Sequence, residues 1–486
     1  MQRGFFIAGQ WRYFDDAERF DITEPATGKP VGTTLLAAET HIDQAVEAAV
    51  AVAPVMAEMA ARERAAILER TAALMIEREH DMAVLLTREQ GKPVADNIKE
   101  IRFGAEVLRY YAGEAVRLGG LLTTSGQPAS APDIRNLVTR HPVGVCAAIV
   151  PWNYPVDLYC WKVGPAIAAG CPLVVKSPHE TPFAIGMFVD CLHEAGLPAG
   201  AIADLPGLGP VAGAALSRHP KIRMISATAS IAAGQDIMRN AAGNLKKVSL
   251  ELGGHAPFIV MPDADIEAAA KAAHRRGFSN MGQICITVNR ILVAREVHRD
   301  FADCLGALAE ATELGNGLED GVSYGPVLNP SVIRRVEAHK KDALDKGATL
   351  LAGGFAPKDG AFSHGHFYRP TVIDNAPLDS MPMSEETYGP LAAIAPFDGV
   401  EDMLAMANGL EYGLAAYLYG GDIGRLWAIA EKLEFGAIGV NVNDTSELQA
   451  PFGGWKMSGM GRELGPEGLD AFLETKHMKM RLPSAF

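Results

Sequence analysis

The sequence predicts an α/β protein built on parallel sheets with helices covering both faces. Short, continuously apolar runs recur from residue 145 onward: VCAAIV (145–150), PLVVK (172–176), IRMISAT (222–228) and VSLEL (248–252). Helical stretches separate them, among them 184–195 and 231–242. A strand buried on both faces is apolar at every position, whereas a half-exposed strand alternates. With 486 residues the chain is long enough for two to four domains. The alternation of strand, loop and helix reads as a nucleotide-binding α/β domain.

The elements follow in order. Residues 38–113 are rich in Ala, Glu and Arg, with apolar residues such as Ala65, Leu68, Ala72, Leu74 and Met75 at helical spacing. After Gly119 the stretch LLTTSGQPASAPDIRNLVTRHPVG is rich in Ser, Pro and Thr and then strand-like, an excursion from the compact body. A second α/β segment runs from about residue 263 to 434, with a helix expected over 331–346. The tail ETKHMKMRLP reads as a terminal strand.

Composition narrows the function. The 44 basic and 58 acidic residues leave a formal charge of −14, which argues against a nucleic-acid or anionic-membrane partner. No apolar run is long enough to span a bilayer, and the N-terminus lacks the apolar core of a secretory signal. The six cysteines form no CxxC pair and show no metal-ligand spacing, so no metal site is expected and a reduced, cytoplasmic setting fits.

Four clusters carry chemistry. PWNYP follows the first apolar strand directly, and Asn153 there offers an amide N–H at a strand's carboxyl end, where α/β sheets bind ligands. A Pro-rich turn is the competing reading. Lys176 ends the PLVVK strand and suits a phosphate or ribose; a solvated loop lysine is the alternative. Glu251 closes VSLEL before a Gly-Gly turn, where burial would raise its pKa as a general base requires. Cys285, in FSNMGQICITVNR, is preceded by Asn280, Gly282 and Gln283, an unusually polar setting for a core cysteine.

Together these clusters resemble the aldehyde dehydrogenase superfamily, in its hydrolytic, non-acylating branch. PWNYP, VSLELGGHAP, GQIC, SEETYGP and APFGGWKMSGMGRELG stand in the family's order and spacing across nearly the whole chain. The resemblance implies that Cys285 attacks an aldehyde, that Asn153 and the Cys285 N–H hold the oxyanion, and that Glu251 activates water against the thioester intermediate. Lys162 and Glu463 match positions of a proton relay, with a structural ion pair as the competing reading. For an NAD or NADP cofactor, Lys176 and Glu386 match ribose ligands and Tyr388 an aromatic position beside them. Trp152, Ser230 and Gly234 match positions lining the adenosine and pyrophosphate.

Three departures from the family pattern bear on specificity. Ala229 replaces a glycine beside the pyrophosphate. His179 stands where NAD-preferring members carry Glu; NAD is taken as the first expectation and NADP as open. Trp161 and Ser279 occupy the positions of the two arginines that hold the distal carboxylate in succinic-semialdehyde-type members, so a buried carboxylate tail would lack its fork. Tyr154, Trp161 and Phe452 suggest an aromatic tunnel for a neutral or amino aldehyde, with Asp157 able to favour a cation; a surface carboxylate is the competing reading for Asp157. A succinic-semialdehyde-type enzyme is the alternative.

By resemblance, residues 1–121 and 144–253 form a Rossmann-type cofactor domain and 254–440 an α/β catalytic domain. Residues 122–143 and 470–486 form a small β oligomerisation element, implying a homodimer or homotetramer. A CoA-acylating enzyme needs no hydrolytic base, and a non-catalytic scaffold tolerates loss of Cys, Glu or Asn; the presence of all three disfavours both.

Overall fold

The computed structural model describes residues 1–124, 126 and 133–482. Parts of the expected oligomerisation element, at 125, 127–132 and 483–486, lie outside the described residues.

Five parallel strands form the centre of an eight-stranded sheet. Across the sheet they run Lys247–Glu251, Met224–Thr228, Cys146–Ile149, Leu173–Ser177 and Ile202–Pro206. Gly459–Met460 adds antiparallel at one edge, and Phe5–Ile7 and Gln10–Arg12 add at the other. Neighbouring residues of Cys146–Ile149 face opposite cores: Cys146 and Ala148 enter one cluster, Ala147 and Ile149 the other. That double burial is why the run is apolar throughout.

Winding starts at Cys146–Ile149 and proceeds outward in both directions, with Leu173–Ser177 on one side and Met224–Thr228 on the other. Loops leaving the carboxyl ends of such a pair diverge and open a crevice between them. The strand Ile202–Pro206 escaped the sequence reading because Asp204 interrupts its apolar pattern; Asp204 is fully buried and paired with Arg3.

A seven-stranded sheet follows, in the order Thr349–Ala352, Thr371–Asp374, Leu391–Phe397, Val288–Ala294, Ala256–Val260, Ala415–Tyr419 and Ala437–Val440. All neighbours are parallel except the first pair. The tail strand Leu473–Arg481 pairs antiparallel along its whole length with Ile134–Pro142, which pairs in turn with Leu121–Thr124. Helices Glu39–Glu58, Ala61–Glu77, Glu79–Gln90 and Val94–Arg117 account for the N-terminal helical region. Val94–Arg117 packs on helix Pro155–Ala169, whose residues are all buried. Among the described residues no single helix is long and apolar enough to cross a membrane.

Candidate active site

Each catalytic candidate sits where a strand or helix ends. Asn153 lies in the turn between strand Cys146–Ile149 and helix Pro155–Ala169, which starts on Pro155 at its first turn and stops at left-handed Gly170. Glu251 is the last residue of its strand. Cys285 follows a short loop in which Asn280, Met281 and Gly282 all adopt left-handed backbone, at φ of 47°, 54° and 70°. Such a conformation costs a non-glycine residue about 1–2 kcal/mol, so the loop needs external support. Asn280 supplies it by donating to Asn153 O at 3.1 Å and Gln283 O at 3.3 Å, and Gln283 Oε1 accepts from Leu328 N at 3.0 Å.

Two cavities meet at these residues. One, of about 330 Å³, is lined by Tyr154, Asp157, Trp161, Ser279 and Phe452 among others. The second, of about 280 Å³, is lined by Trp152, Ala229, Ser230, Glu386 and Tyr388 and opens at the crevice between the diverging strands. Asn153, Glu251 and Cys285 line both. A molecule in either cavity therefore reaches the same thiol, carboxyl and amide.

The electrostatics suit acid–base work. Glu251 is 1% exposed, and burial followed by repulsion from Glu463 pushes its pKa up to about 8. Burial and then Glu251 hold the Cys285 thiol well above the ordinary range, so near neutrality both members of the pair are held toward their protonated forms. Asn153 donates one amide N–H to Gln283 O at 3.2 Å and retains a second. Lys162 Nζ bonds Glu463 Oε1 at 2.6 Å and Thr228 Oγ1 at 2.8 Å, and Ser226 Oγ donates to the same carboxylate oxygen at 2.9 Å.

The second cavity offers polar groups that could hold a dinucleotide. Ser230 caps helix Ile231–Ala241, its Oγ accepting from Ala233 N at 3.3 Å, so the positive end of that helix faces the cavity. Glu386 accepts from Gly254 N at 3.1 Å, and burial raises its pKa to about 7. A Cβ on Gly253 would lie 2.5 Å from Glu386 Oε2, so only glycine permits that approach. Tyr388 meets Trp152 edge-on at 5.8 Å. Lys176 and His179 stand at the next strand end, outside the cavity lining. Lys176 is buried without an ion pair among the described residues, and His179 lies against Phe20 with Nδ1 3.2 Å from Glu180 Oε2. Gly234 also lies outside the lining; a Cβ there would meet Leu252 at 2.5 Å.

In the first cavity Trp161 packs edge-on against Phe452 at 5.2 Å, and Tyr154 stands beside them in the lining. Asp157 is not the surface carboxylate its sequence context allows. It is buried, accepts from Trp161 Nε1 at 2.7 Å, and burial holds its carboxyl well above the ordinary range. Sequence reasoning missed Arg275 and Arg276 in the first cavity and Arg335 in the second. Arg276 is neutralised by Asp444 at 2.8 Å and Lys99 by Asp96 at 2.8 Å, whereas Arg275 has no ion pair among the described residues. Arg275 and Ser279 are four apart at the end of helix Ile266–Phe278, and that spacing alone would have flagged them as neighbours on one face.

The profile of the aldehyde dehydrogenase family matches residues 11–478. The chain belongs to the aldehyde dehydrogenase family. Members are NAD(P)-dependent oxidoreductases, and the mixed α/β fold with parallel sheets is theirs. The chain is 41% identical to a 3-sulfolactaldehyde dehydrogenase of Pseudomonas putida, over 98% of its own length and 97% of the relative's. It is 39% identical to an NADP(+) succinate-semialdehyde dehydrogenase of Escherichia coli, over 97% and 96% of the two. A crystal structure of succinate-semialdehyde dehydrogenase from Burkholderia pseudomallei superposes with a TM-score of 0.95 at 40% identity, covering 99% and 98%.

Proposed function

We propose that this aldehyde dehydrogenase oxidises its aldehyde irreversibly to a carboxylic acid through a thioester on Cys285. The meeting of both cavities at Cys285, Glu251 and Asn153 carries the reading. Glu251 takes the thiol proton, and the Cys285 sulfur adds to the carbonyl carbon of an aldehyde held in the first cavity. The Asn153 amide and the Cys285 N–H receive the oxyanion, a contribution of about 3 kcal/mol for such a donor. Bound NAD(P) would supply the acceptor for the hydride of this thiohemiacetal. Glu251 passes that proton outward along the polar route formed by Lys162 and Glu463 behind it, then draws a proton from water as the water attacks the thioester, releasing the carboxylic acid and the Cys285 thiolate. The residues present fit the cofactor: a helix N-terminus at Ser230 for the pyrophosphate, Glu386 and Lys176 for the riboses, and Trp152 and Tyr388 as walls.

The first cavity suits an aldehyde whose carbonyl end is uncharged and whose far end is anionic. Tyr154, Trp161 and Phe452 line it with aromatic surface, and Arg275 is its one unpaired cation among the described residues. The named substrates of the relatives, acidic semialdehydes and a sulfonated aldehyde, agree with that order. A neutral or amino aldehyde is the second reading, favoured by Trp161 and Ser279 in place of an arginine fork. Comparing kcat/KM for succinic semialdehyde with that for a neutral aldehyde of equal length tests the choice; a neutral preference of about tenfold or more rejects the acidic tail.

A further inference from the structure

Behind Asn153 lies an ion pair that the reaction above does not use. Lys92 Nζ pairs with Glu100 Oε2, and neither side chain has any solvent exposure. A sealed pair is retained at a cost unless its remaining valences are met, and here all of them are spent on one short segment. Glu100 Oε1 accepts from Val156 N at 2.9 Å and Asp157 N at 3.3 Å, at the start of helix Pro155–Ala169. A carboxylate there also meets the positive end of the helix dipole. Lys92 Nζ donates to Asn153 O at 3.2 Å and stands 3.7 Å from the centre of the Tyr154 ring. Gln90 Nε2 reinforces the turn by donating to Asn153 O and, at 2.8 Å, to Trp152 O.

We propose that Lys92 and Glu100 are positioning residues, a clamp on the main chain of 153–157 that fixes the Asn153 amide before substrate arrives. The inference rests on Asn153 as oxyanion donor. A donor held in advance needs no reorganisation as charge develops, so loosening its backbone removes the same stabilisation as removing the donor. Lys92 acts through Asn153 O and Glu100 through the helix start; Glu100 also borders the first cavity, but its carboxylate is taken up by Lys92 and the helix start.

The test is a double-mutant cycle on the whole enzyme with Lys92→Met and Asn153→Ala, reading kcat, cofactor KM and the rate of Cys285 alkylation by iodoacetamide. Asn153→Ala lowers kcat about 100-fold. Lys92→Met alone lowers kcat about 30-fold, yet less than about threefold further in the Asn153→Ala background. Cofactor KM and alkylation rate stay within about twofold in all variants. Should Lys92→Met not yield folded enzyme, Glu100→Gln replaces it in the same cycle, keeping an oxygen for Val156 N and Asp157 N. Losses that multiply fully, or an unchanged kcat in the single variant, overturn the clamp while leaving Asn153 in its role. An unchanged kcat in Asn153→Ala overturns the oxyanion assignment itself.

Discussion

The ammonium of Lys162 lies 2.6 Å from Glu463 Oε1, in a pair of which 0% and 5% of the side-chain surface is exposed. Its two members act on Glu251 with opposite sign, the carboxylate raising its pKa and the ammonium lowering it. Glu463→Gln should therefore shift the rise of kcat with pH to lower pH, and Lys162→Met should shift it to higher pH. Either change leaves a buried charge uncompensated and costs about 3 kcal/mol of stability by denaturant titration. Stability loss with an unmoved pH profile would reduce the pair to a structural one.

Burial lifts the pKa of Glu251 to about 8, so on the proposed mechanism thioester hydrolysis should accelerate as pH rises through that value. Glu251→Gln abolishes the rise and slows turnover about 100-fold or more. Between its ordinary value of 4.5 and about 8, the native state binds more protons at this site than the unfolded chain. Stability from Glu251 thus falls as pH rises across that window, and the Gln variant shows a flatter dependence of Tm on pH.

Burial lifts the pKa of Glu386 to about 7, and on the proposed reading its carboxylate would hold a ribose hydroxyl as an acceptor. Cofactor KM is expected to increase as pH falls through 7 with kcat changing less, and Glu386→Gln removes that dependence. Initial rates with varied cofactor at pH 6 to 8 measure it.

Beside Lys176, burial lowers the pKa of His179, with Glu180 pulling it up and the Lys176 charge pushing it down. Neutral at pH 7, it neither bonds a 2′-phosphate strongly nor repels it. Wild-type kcat/KM for NAD and NADP should differ by less than about a hundredfold, and His179→Glu should move the ratio toward NAD by about tenfold or more. A wild-type NAD preference beyond a hundredfold ends the case for NADP.

Arg275→Ala tests the acidic tail. The variant should lose about tenfold to a hundredfold in kcat/KM for succinic semialdehyde while retaining neutral-aldehyde activity. Equal losses on both substrates would count against a charge-reading role.

Legibility in the sequence followed physical locality. The strands Cys146–Ile149, Leu173–Ser177, Met224–Thr228 and Lys247–Glu251 were visible because double burial demands unbroken apolar runs, and Ile202–Pro206 was not because Asp204 breaks its run. Cys285, Glu251 and Asn153 stood out because each closes a short motif at an element's end. Lys92 and Glu100, eight residues apart on polar-looking sequence, carried no local mark of burial. Nor did the left-handed backbone at Asn280 and Met281, which contacts from Asn153 and Leu328 sustain rather than local glycine. The burial of Asp157 and the placement of Arg275 were not legible because a helix pattern gives a residue's face, not which neighbour seals it.

The glycine that ends the left-handed loop before the nucleophile has a wider meaning. A Cβ on Gly282 would fall 2.2 Å from Gly389 O, so the two main chains lie in direct contact just before Cys285 and just after Tyr388. The loop before Cys285 and the segment after Tyr388 share a seam with no side chain to act as a cushion. A shift of one main chain would press on the other, so on the proposed mechanism the thiol's approach and the hydride's departure would be coupled through this contact. Gly282→Ala would behave as a wedge, damaging both half-reactions together from a position that touches neither substrate.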